Sequence, residues 1–255
     1  MSTHTVIVTG GAAGIGRATV ERFFAAGANV AVWDVDAARG AAFVAELDPA
    51  GTRATFQAVD VTNTASVTDA IALVIATFGR IDVLINNAGI TRDATLVKWK
   101  DGALVGQMDD AAFDAVVSVN QRGVFVCTRG VVPQMIQQGG GVILNATSVV
   151  GLYGNFGQTN YAGTKFAVIG MTKTWSRELG KYGIRVNAVA PGFIATELVA
   201  KMPEKVIAGM VQHTPLGRMG QPVDIANAYY WLASSDASFV TGAVFSIDGG
   251  IVLGT

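Results

Sequence analysis

Hydrophobic positions along this chain alternate between short continuous apolar runs and longer segments with helical periodicity. The short runs predict strands near 4–9, 29–34, 54–60, 82–87, 140–147, 184–190 and 243–248. The longer segments predict helices near 14–27, 37–47, 64–79, 109–137, 158–181, 197–210 and 222–234. Apolar strands separated by helices indicate an α/β fold in which a parallel sheet is covered on both faces.

Size and composition narrow this picture. The 255 residues fit one α/β domain, and with 51% hydrophobic and 15% charged residues the chain can bury a large core. A net charge of −1 without a basic stripe argues against a nucleic-acid partner. No apolar run approaches the roughly 18 residues of a membrane span, and no leader-like segment precedes the first strand. The single cysteine, Cys127, lies in an apolar helical stretch, which favours a core position and a reducing, cytoplasmic setting.

A glycine-rich turn joins the first predicted strand to the first predicted helix. Gly10, Gly14 and Gly16 follow the spacing G-x-x-x-G-x-G, with Ile15 between the last two. Glycines let the backbone approach a pyrophosphate closely, and the N-terminus of the helix meets its negative charge. The preceding strand and following helix supply the context that such a motif requires, so the turn predicts a dinucleotide site.

The second predicted strand ends at Asp34. A carboxylate at this point can accept hydrogen bonds from both ribose hydroxyls of the adenosine half, and it would repel a 2′-phosphate. Ala13 and Val35 are neutral where a basic residue could have paired with that phosphate. We therefore predict NAD(H) rather than NADP(H) as the cofactor, although Arg17 and Arg39 could support some NADP binding.

The ends of the next two predicted strands carry further candidate cofactor contacts. Asp60 and Val61 follow the third strand, where they would contact the edge of the adenine. Asn87, Ala88 and Gly89 follow the fourth strand, and small or amide residues there can line the floor of the site.

Tyr161 and Lys165 are candidates for proton transfer. They lie four residues apart, which places them on one face of a predicted helix. An ammonium near a phenol favours the phenolate, so it would lower the pKa of the tyrosine from about 10 toward working pH. Such a tyrosine can give a proton to a carbonyl or take one from an alcohol. Ser148, at the end of an apolar strand, could hydrogen-bond the same substrate oxygen.

With these residues, the chain resembles the classical short-chain dehydrogenase/reductases over nearly all of its length. The resemblance is carried by residues 9–16, the Asn86–Gly89 strand end, Asn120, the Ser148, Tyr161 and Lys165 set, and Pro191-Gly192 with Thr196. It implies one Rossmann-type domain over residues 1–255, with a doubly wound parallel sheet of seven strands in the order 3-2-1-4-5-6-7. The cofactor half would span about 1–145, and the catalytic and substrate half about 146–255.

The resemblance also implies catalytic roles. Tyr161 would be the general acid or base, and Lys165 would lower its pKa; both would contact the nicotinamide ribose. Ser148 would orient the substrate oxygen. Asn120 would hold a water that links Lys165 to solvent as a proton relay.

By the same resemblance, the segment after the sixth strand would hold the nicotinamide. Pro191, Gly192, Ile194 and Thr196 would clasp its carboxamide. Hydride would pass between nicotinamide C4 and a carbinol or carbonyl carbon, so the cofactor carries the hard chemistry. No metal site is predicted.

The substrate is open between two alternatives. Within the family, residues 144–170 and 184–198 look most like 3-oxoacyl reductases of the acyl-carrier type, which implies reduction of a β-ketoacyl thioester. Those enzymes usually use NADPH, whereas Asp34 favours NAD, and docking an acidic carrier needs a basic rim that the uncharged stretch 133–141 lacks. We therefore favour a secondary alcohol or ketone that is small and diffusible. Its binding residues would be Ser148, Val149, Tyr153, Asn155, Phe156 and Gln158.

Three further expectations concern a non-catalytic role, the assembly and one long connection. A dinucleotide-binding sensor without catalysis is a remote alternative, because such proteins usually lose the tyrosine or lysine. By family analogy the protein would be a homotetramer, with helices 109–137 and 158–181 pairing at one interface and residues 243–255 at another. The connection around 98–106 is longer than the family pattern; it would be a surface hairpin or loop, or else a wall of the substrate entrance or a subunit contact.

Overall fold

The computed structural model describes residues 4–197, 199 and 202–251. Seven parallel strands form one sheet in the spatial order β3-β2-β1-β4-β7-β8-β9. These strands are β1 (Thr5–Thr9), β2 (Asn29–Asp34), β3 (Ala54–Ala58), β4 (Val83–Asn86), β7 (Gly141–Ala146), β8 (Ile184–Pro191) and β9 (Val244–Ile247). With the two hairpin strands β5 and β6 set aside, this is the predicted order 3-2-1-4-5-6-7, and the doubly wound α/β fold is confirmed.

Helices cover both faces of the sheet. They are α1 (Gly14–Ala25), α2 (Ala37–Leu47), α3 (Thr64–Phe78), α4 (Asp110–Val117), α5 (Val124–Gln137), α6 (Val149–Tyr153), α7 (Thr159–Leu179), α8 (Glu204–Gln212) and α9 (Pro222–Ala233), with 3₁₀ turns at Gly180–Tyr182 and Ser235–Ala237. Helices α1, α2 and α9 pack into one apolar cluster, and α3, α5 and α7 into a second one. No helix within the described ranges has the length and apolarity to cross a bilayer.

Strand β1 shows why the apolar runs are continuous. Val6 and Val8 belong to the cluster on the α1 side, whereas Ile7 between them belongs to the cluster on the α3 side. Successive side chains of a strand point to opposite faces, so a strand covered on both faces needs apolar residues at every position. Cys127 is buried in the α3-side cluster, as expected, and burial raises the pKa of its thiol to about 12.

The predicted helix 109–137 is interrupted. Between α4 and α5, residues Ser118–Gly123 form a π-helical turn. A β-carbon at Gly123 would lie 2.7 Å from the Val61 side chain, so the turn runs close against the segment that follows β3. Single π turns within α-helices are frequent at functional sites, and this one carries Asn120.

The helix predicted over 197–210 begins later, at Glu204. Pro203 precedes it with an extended backbone (φ −56°, ψ 140°), and a proline also disfavours helical geometry in the residue before it. Residues 198, 200 and 201 of the predicted helix lie outside the described residues, as do 252–255 of the C-terminal stretch expected at a subunit interface.

The long connection around 98–106 is a surface hairpin. Strands β5 (Val97–Lys100) and β6 (Ala103–Gln107) pair antiparallel. Asp101 and Gly102 join them with positive φ angles of 51° and 80°, as a two-residue Asp-Gly turn requires. Trp99 is 68% exposed on this hairpin.

Candidate active site

Two adjoining cavities lie at the carboxyl edge of the sheet, each of about 530 Å³. The first is walled by the glycine turn and by the ends of β2, β3 and β4. Most of the predicted cofactor contacts line it: Gly10, Gly14, Ile15, Asp34, Asp60, Val61, Asn87, Ala88, Gly89 and Thr196.

The glycines of the turn have different tasks. Gly10 and Gly14 line the cavity in left-handed conformations, with φ of 62° and 51°. Gly16 lies behind the wall, where a β-carbon would come within 2.0 Å of the Gly10 carbonyl oxygen. It was predicted to bind cofactor, but the structure gives it the packing task of bringing α1 close to the turn.

Hydrogen bonds fix the floor of the first cavity. The Thr9 hydroxyl oxygen accepts from the backbone N–H groups of Asn87 and Ala88, both at 3.0 Å. The Asn87 side-chain amide donates to the carbonyls of Thr9 and Gly10 at 3.1 and 3.2 Å. The end of β4 is therefore tied to the glycine turn.

The Asp34 carboxylate is held in a defined orientation. Oδ2 accepts from the Ala12 N–H, and Oδ1 accepts from the Asp36 N–H, both at 3.1 Å. Arg39, also in the cavity wall, forms an ion pair with Glu197. The Asp34 carboxylate thus faces the cavity, while the guanidinium of Arg39 is engaged with Glu197.

The second cavity contains the predicted proton-transfer residues. Ser148, Tyr161 and Lys165 line it together with Pro191, Gly192 and Ile194. Five residues, Ile15, Asn87, Gly89, Ile90 and Thr196, line both cavities. A ligand that extends from the first cavity can therefore enter the second, which contains the tyrosine.

Lys165 is buried beside Tyr161. Its Nζ donates to the Ala146 carbonyl at 2.8 Å and lies 5.5 Å from the centre of the Tyr161 ring. Burial lowers the pKa of Lys165 to about 8, because the charged form loses water.

The expected lowering of the Tyr161 pKa is not met in this structure. Burial raises the pKa of the phenol, a hydrogen bond with Ser148 lowers it, and the negative charge of Asp93 raises it. Desolvation is the largest of these effects, and the ammonium of Lys165 is engaged with the Ala146 carbonyl. The lysine is close enough to stabilise a phenolate when one forms, but in this structure it does not by itself produce one.

Asn120 is buried in the π turn and lines neither cavity. Its Oδ1 accepts from the Ile90 N–H at 2.8 Å, and its Nδ2 donates to the Ile90 carbonyl at 2.9 Å. A β-carbon at Gly89 would lie 3.3 Å from Asn120 Oδ1 and 3.6 Å from Lys165 Nζ. The amide thus fixes the loop after β4, and Gly89 leaves the space between amide and ammonium open.

The predicted substrate residues separate into two groups. Ser148, Val149, Asn155 and Gln158 line the second cavity. Gln158 donates to Asp93 at 3.0 Å and accepts from Asn155 at 2.8 Å, so these polar groups are coupled. The structure does not bring Tyr153 and Phe156 to the cavity: Tyr153 ends α6, Phe156 lies in the loop that follows, and they are 52% and 89% exposed.

The region after the sixth strand was expected to cover the substrate, but its lining residues were not named from the sequence, and neither was one aromatic residue of the second cavity. Val199, Met202, Val206 and Met210 form the apolar wall, at the three- and four-residue spacing that an amphipathic segment shows. That spacing was a usable signal. Tyr229 of α9 also lines the cavity, and nothing in the local sequence distinguishes it from an ordinary core position.

The sheet order, the glycine turn and the serine, tyrosine and lysine of one cavity define a nicotinamide-dinucleotide oxidoreductase. A family model described as enoyl-(acyl carrier protein) reductase matches residues 10–252. The chain belongs to the short-chain dehydrogenase/reductase family.

Several curated relatives match nearly the whole chain. A 3-oxoacyl-(acyl-carrier-protein) reductase of Thermotoga maritima is 47% identical over 97% of both chains. A 3α-hydroxysteroid dehydrogenase of Mediterraneibacter gnavus is 41% identical, covering 98% of this chain and 97% of its own. A (3R)-3-hydroxyacyl-CoA dehydrogenase of Rattus norvegicus is 42% identical, covering 97% and 95%. The names span thioester and steroid substrates, so similarity fixes the reaction class more firmly than the substrate.

Proposed function

We propose that this protein interconverts a secondary alcohol and a ketone by hydride transfer with NAD(H), acting on a small diffusible substrate. One observation carries the proposal: Ser148, Tyr161 and Lys165 line a cavity that shares five wall residues with the glycine-turn cavity. A dinucleotide lying along the first cavity would present its nicotinamide to the tyrosine.

The residues present fit such a cofactor. Gly10 and Gly14 leave the wall free of side chains next to the N-terminus of α1, where a pyrophosphate would bind. Asp60 and Val61 would contact the adenine. Pro191, Gly192, Ile194 and Thr196 would hold the carboxamide at the far end.

Asp34 supports NAD over NADP. Its fixed carboxylate can accept ribose hydroxyls and repels a phosphate at the same position. Arg39 is paired with Glu197, so a 2′-phosphate would have to compete for that guanidinium.

The chain's own residues move the proton. When bound, the nicotinamide supplies or accepts the hydride. Tyr161 gives its phenolic proton to the carbonyl oxygen during reduction and takes it back during oxidation. Lys165 stabilises the phenolate that forms, and Ser148 hydrogen-bonds the substrate oxygen. Asn120 fixes the loop after β4 and would there hold a water that links Lys165 to solvent as a proton relay.

The walls of the second cavity favour a substrate with one polar and one apolar side. Asn155, Gln158 and Asp93 offer hydrogen-bonding groups on one side. Met202 and Val206 belong to the apolar wall. A ketone or alcohol with a hydrocarbon portion would meet both.

A 3-oxoacyl thioester is the second candidate substrate. The nearly full-length similarity to a 3-oxoacyl-(acyl-carrier-protein) reductase favours it, and the apolar wall would accept an acyl chain. The absence of a charged residue in 133–141 at the end of α5 still argues against a docked acidic carrier.

A substrate screen with both cofactors tests the proposal. Purified protein is incubated with NADH or NADPH and a panel of small ketones, steroid ketones and β-ketoacyl thioesters, and the nicotinamide absorbance is followed. We expect turnover of diffusible ketones with NADH. Turnover confined to thioesters would select the second candidate, and cofactor binding without any turnover would leave the sensor alternative.

We also infer a homotetramer in a cytoplasmic setting. Phe113 of α4, Phe125 of α5 and Phe166 of α7 are 42%, 40% and 65% exposed, on the helices expected to pair. Pairing would bury these rings. Sedimentation that gives only a monomer would contradict this inference, and the division of the chain near residue 145 likewise remains a proposal.

A further inference from the structure

Tyr229 has a buried hydroxyl group without a partner. The residue is fully buried on α9, and among the described residues its hydroxyl has no hydrogen-bond partner. Buried polar groups in native structures nearly always have a partner, and an unpaired one lowers stability. The hydroxyl therefore requires an explanation.

The position of Tyr229 provides one. Its ring belongs to the apolar cluster on the α1 side of the sheet, while the residue also lines the cavity that contains Tyr161 and Lys165. Ile15 and Ile194 pack in the same cluster and line the same cavity. Tyr229 thus shares both an apolar cluster and a cavity with two residues of the cofactor path.

The substrate-facing groups come from other elements. Asn155 and Gln158 lie between α6 and α7, and the apolar wall comes from the segment that leads into α8. Tyr229 comes from α9 and packs in the same apolar cluster as Ile194, which is expected to hold the nicotinamide. Of the two ligands, the dinucleotide is therefore the one that this hydroxyl would meet.

We propose that Tyr229 is a further cofactor-binding residue, whose hydroxyl donates a hydrogen bond to the nicotinamide end of the bound dinucleotide. The inference rests on the proposed function, because it requires a nicotinamide cofactor. The carboxamide oxygen and the ribose hydroxyls of that end are suitable acceptors. Burial, and next the proximity of Tyr161, raise the pKa of the Tyr229 phenol, so it keeps its proton and can act as a donor at neutral pH.

The substitution Tyr229→Phe tests this, because it removes the hydroxyl and keeps the ring. Tyr230→Phe is the matched control: it makes the same change one residue on. The Tyr230 ring packs edge-on against Phe23, with the Arg22 guanidinium 3.6 Å from its centre, and lines a different cavity. Binding is measured by titration with NADH and, separately, with ADP-ribose, which has the adenosine and pyrophosphate but no nicotinamide.

We expect opposite effects on binding and stability. Tyr229→Phe should weaken NADH binding about three- to tenfold, the size of one neutral hydrogen bond, and leave ADP-ribose binding unchanged. It should also raise the melting temperature of the free protein, because an unpaired buried hydroxyl is removed. Tyr230→Phe should leave both dissociation constants as in the wild type.

Other outcomes overturn the proposal. Unchanged NADH binding in Tyr229→Phe would mean that the hydroxyl has no contact with the cofactor, and an altered substrate KM in that case would assign it to the substrate. Equal weakening of NADH and ADP-ribose would indicate a general distortion of the site. If the wild-type protein binds NADH but turns over no substrate, the proposed function fails while the Tyr229 contact can still be measured.

Discussion

The two cavities are built in different ways. The wall of the first is made largely of backbone and strand ends, cross-linked by the hydrogen bonds of Thr9, Asn87 and Asp34. The second is closed on one side by side chains from α8 and the segment before it, and no residue of α8 is buried. The cofactor, which is the same in every reaction cycle, can be bound by fixed backbone groups. The substrate is instead contacted by a helix with few buried residues, which can move and can tolerate substitutions.

The largest effect is expected at Tyr161, in the second cavity. Tyr161→Phe removes the transferable proton, so turnover should fall by about 10²- to 10⁴-fold while NADH binding stays within a few-fold. Steady-state rates and NADH titration measure the two quantities. Tyr153→Phe removes an exposed phenol outside the cavity and should behave as wild type. Substantial turnover in Tyr161→Phe would remove the tyrosine from the mechanism.

Lys165 should set an alkaline limit. With a pKa lowered to about 8, the lysine is charged below that pH and neutral above it, and only the charged form stabilises the phenolate. In ketone reduction, kcat/KM for the ketone at saturating NADH includes the proton-transfer step, so it should fall about tenfold per pH unit above 8. The Lys165→Met variant should have a low rate that no longer falls above pH 8. Lys173→Met, on the exposed side of α7, should keep the alkaline decrease. If the rate of Lys165→Met still falls above pH 8, another titrating group causes the decrease.

In the first cavity, Asp34→Ala should reduce the preference of the protein for NADH over NADPH. Loss of charge-assisted hydrogen bonds to the ribose should weaken NADH binding about tenfold, while loss of the repulsive charge should strengthen NADPH binding. Asp36→Asn changes a charge two residues on, outside the cavity lining, and should preserve the cofactor ratio. The same NADH-to-NADPH ratio in Asp34→Ala and wild type would contradict the ribose contact.

The smallest effect is expected on the apolar wall. Val206→Ser should raise KM about threefold for a ketone with a hydrocarbon portion, since part of one apolar side chain no longer covers it. NADH binding should not change, which would separate the wall from the cofactor cavity. Val223→Ser on α9, 49% exposed and outside both cavities, is the control. A cofactor effect as large as the substrate effect would show that the two cavities are not independent in energy.

The cofactor cavity was the more predictable of the two. Strands β1, β2 and β4 are buried at nearly every position, so their apolar runs are unambiguous. The glycines are required by backbone approach rather than by any particular ligand group. The positions of Asp34 and Asn87 at the edge of the sheet could be predicted because each lies at the carboxyl end of an apolar strand. Gly16 could be recognised as part of the motif, but its packing task depends on the distance to the Gly10 carbonyl, which spacing does not contain.

The second cavity depends on long-range packing. Tyr229 meets the cavity only because α9 packs beside α1, far away in sequence. The π turn that carries Asn120 could not be predicted, because the hydrophobic pattern of residues 109–137 is that of a continuous amphipathic helix. The pKa of Tyr161 depends on how much water the fold removes from the phenol, so a Tyr-x-x-x-Lys spacing alone gave the wrong direction for this structure.

The five residues common to both cavities bear on the sequence of events in a catalytic cycle. The same residues would contact both the dinucleotide and the substrate: Ile15, Asn87, Gly89, Ile90 and Thr196. A dinucleotide seated along them becomes the surface on which the second ligand rests, whereas a substrate that arrived first would stand in the path of the nicotinamide. We therefore expect compulsory-order kinetics, with the nucleotide as first to bind and last to leave.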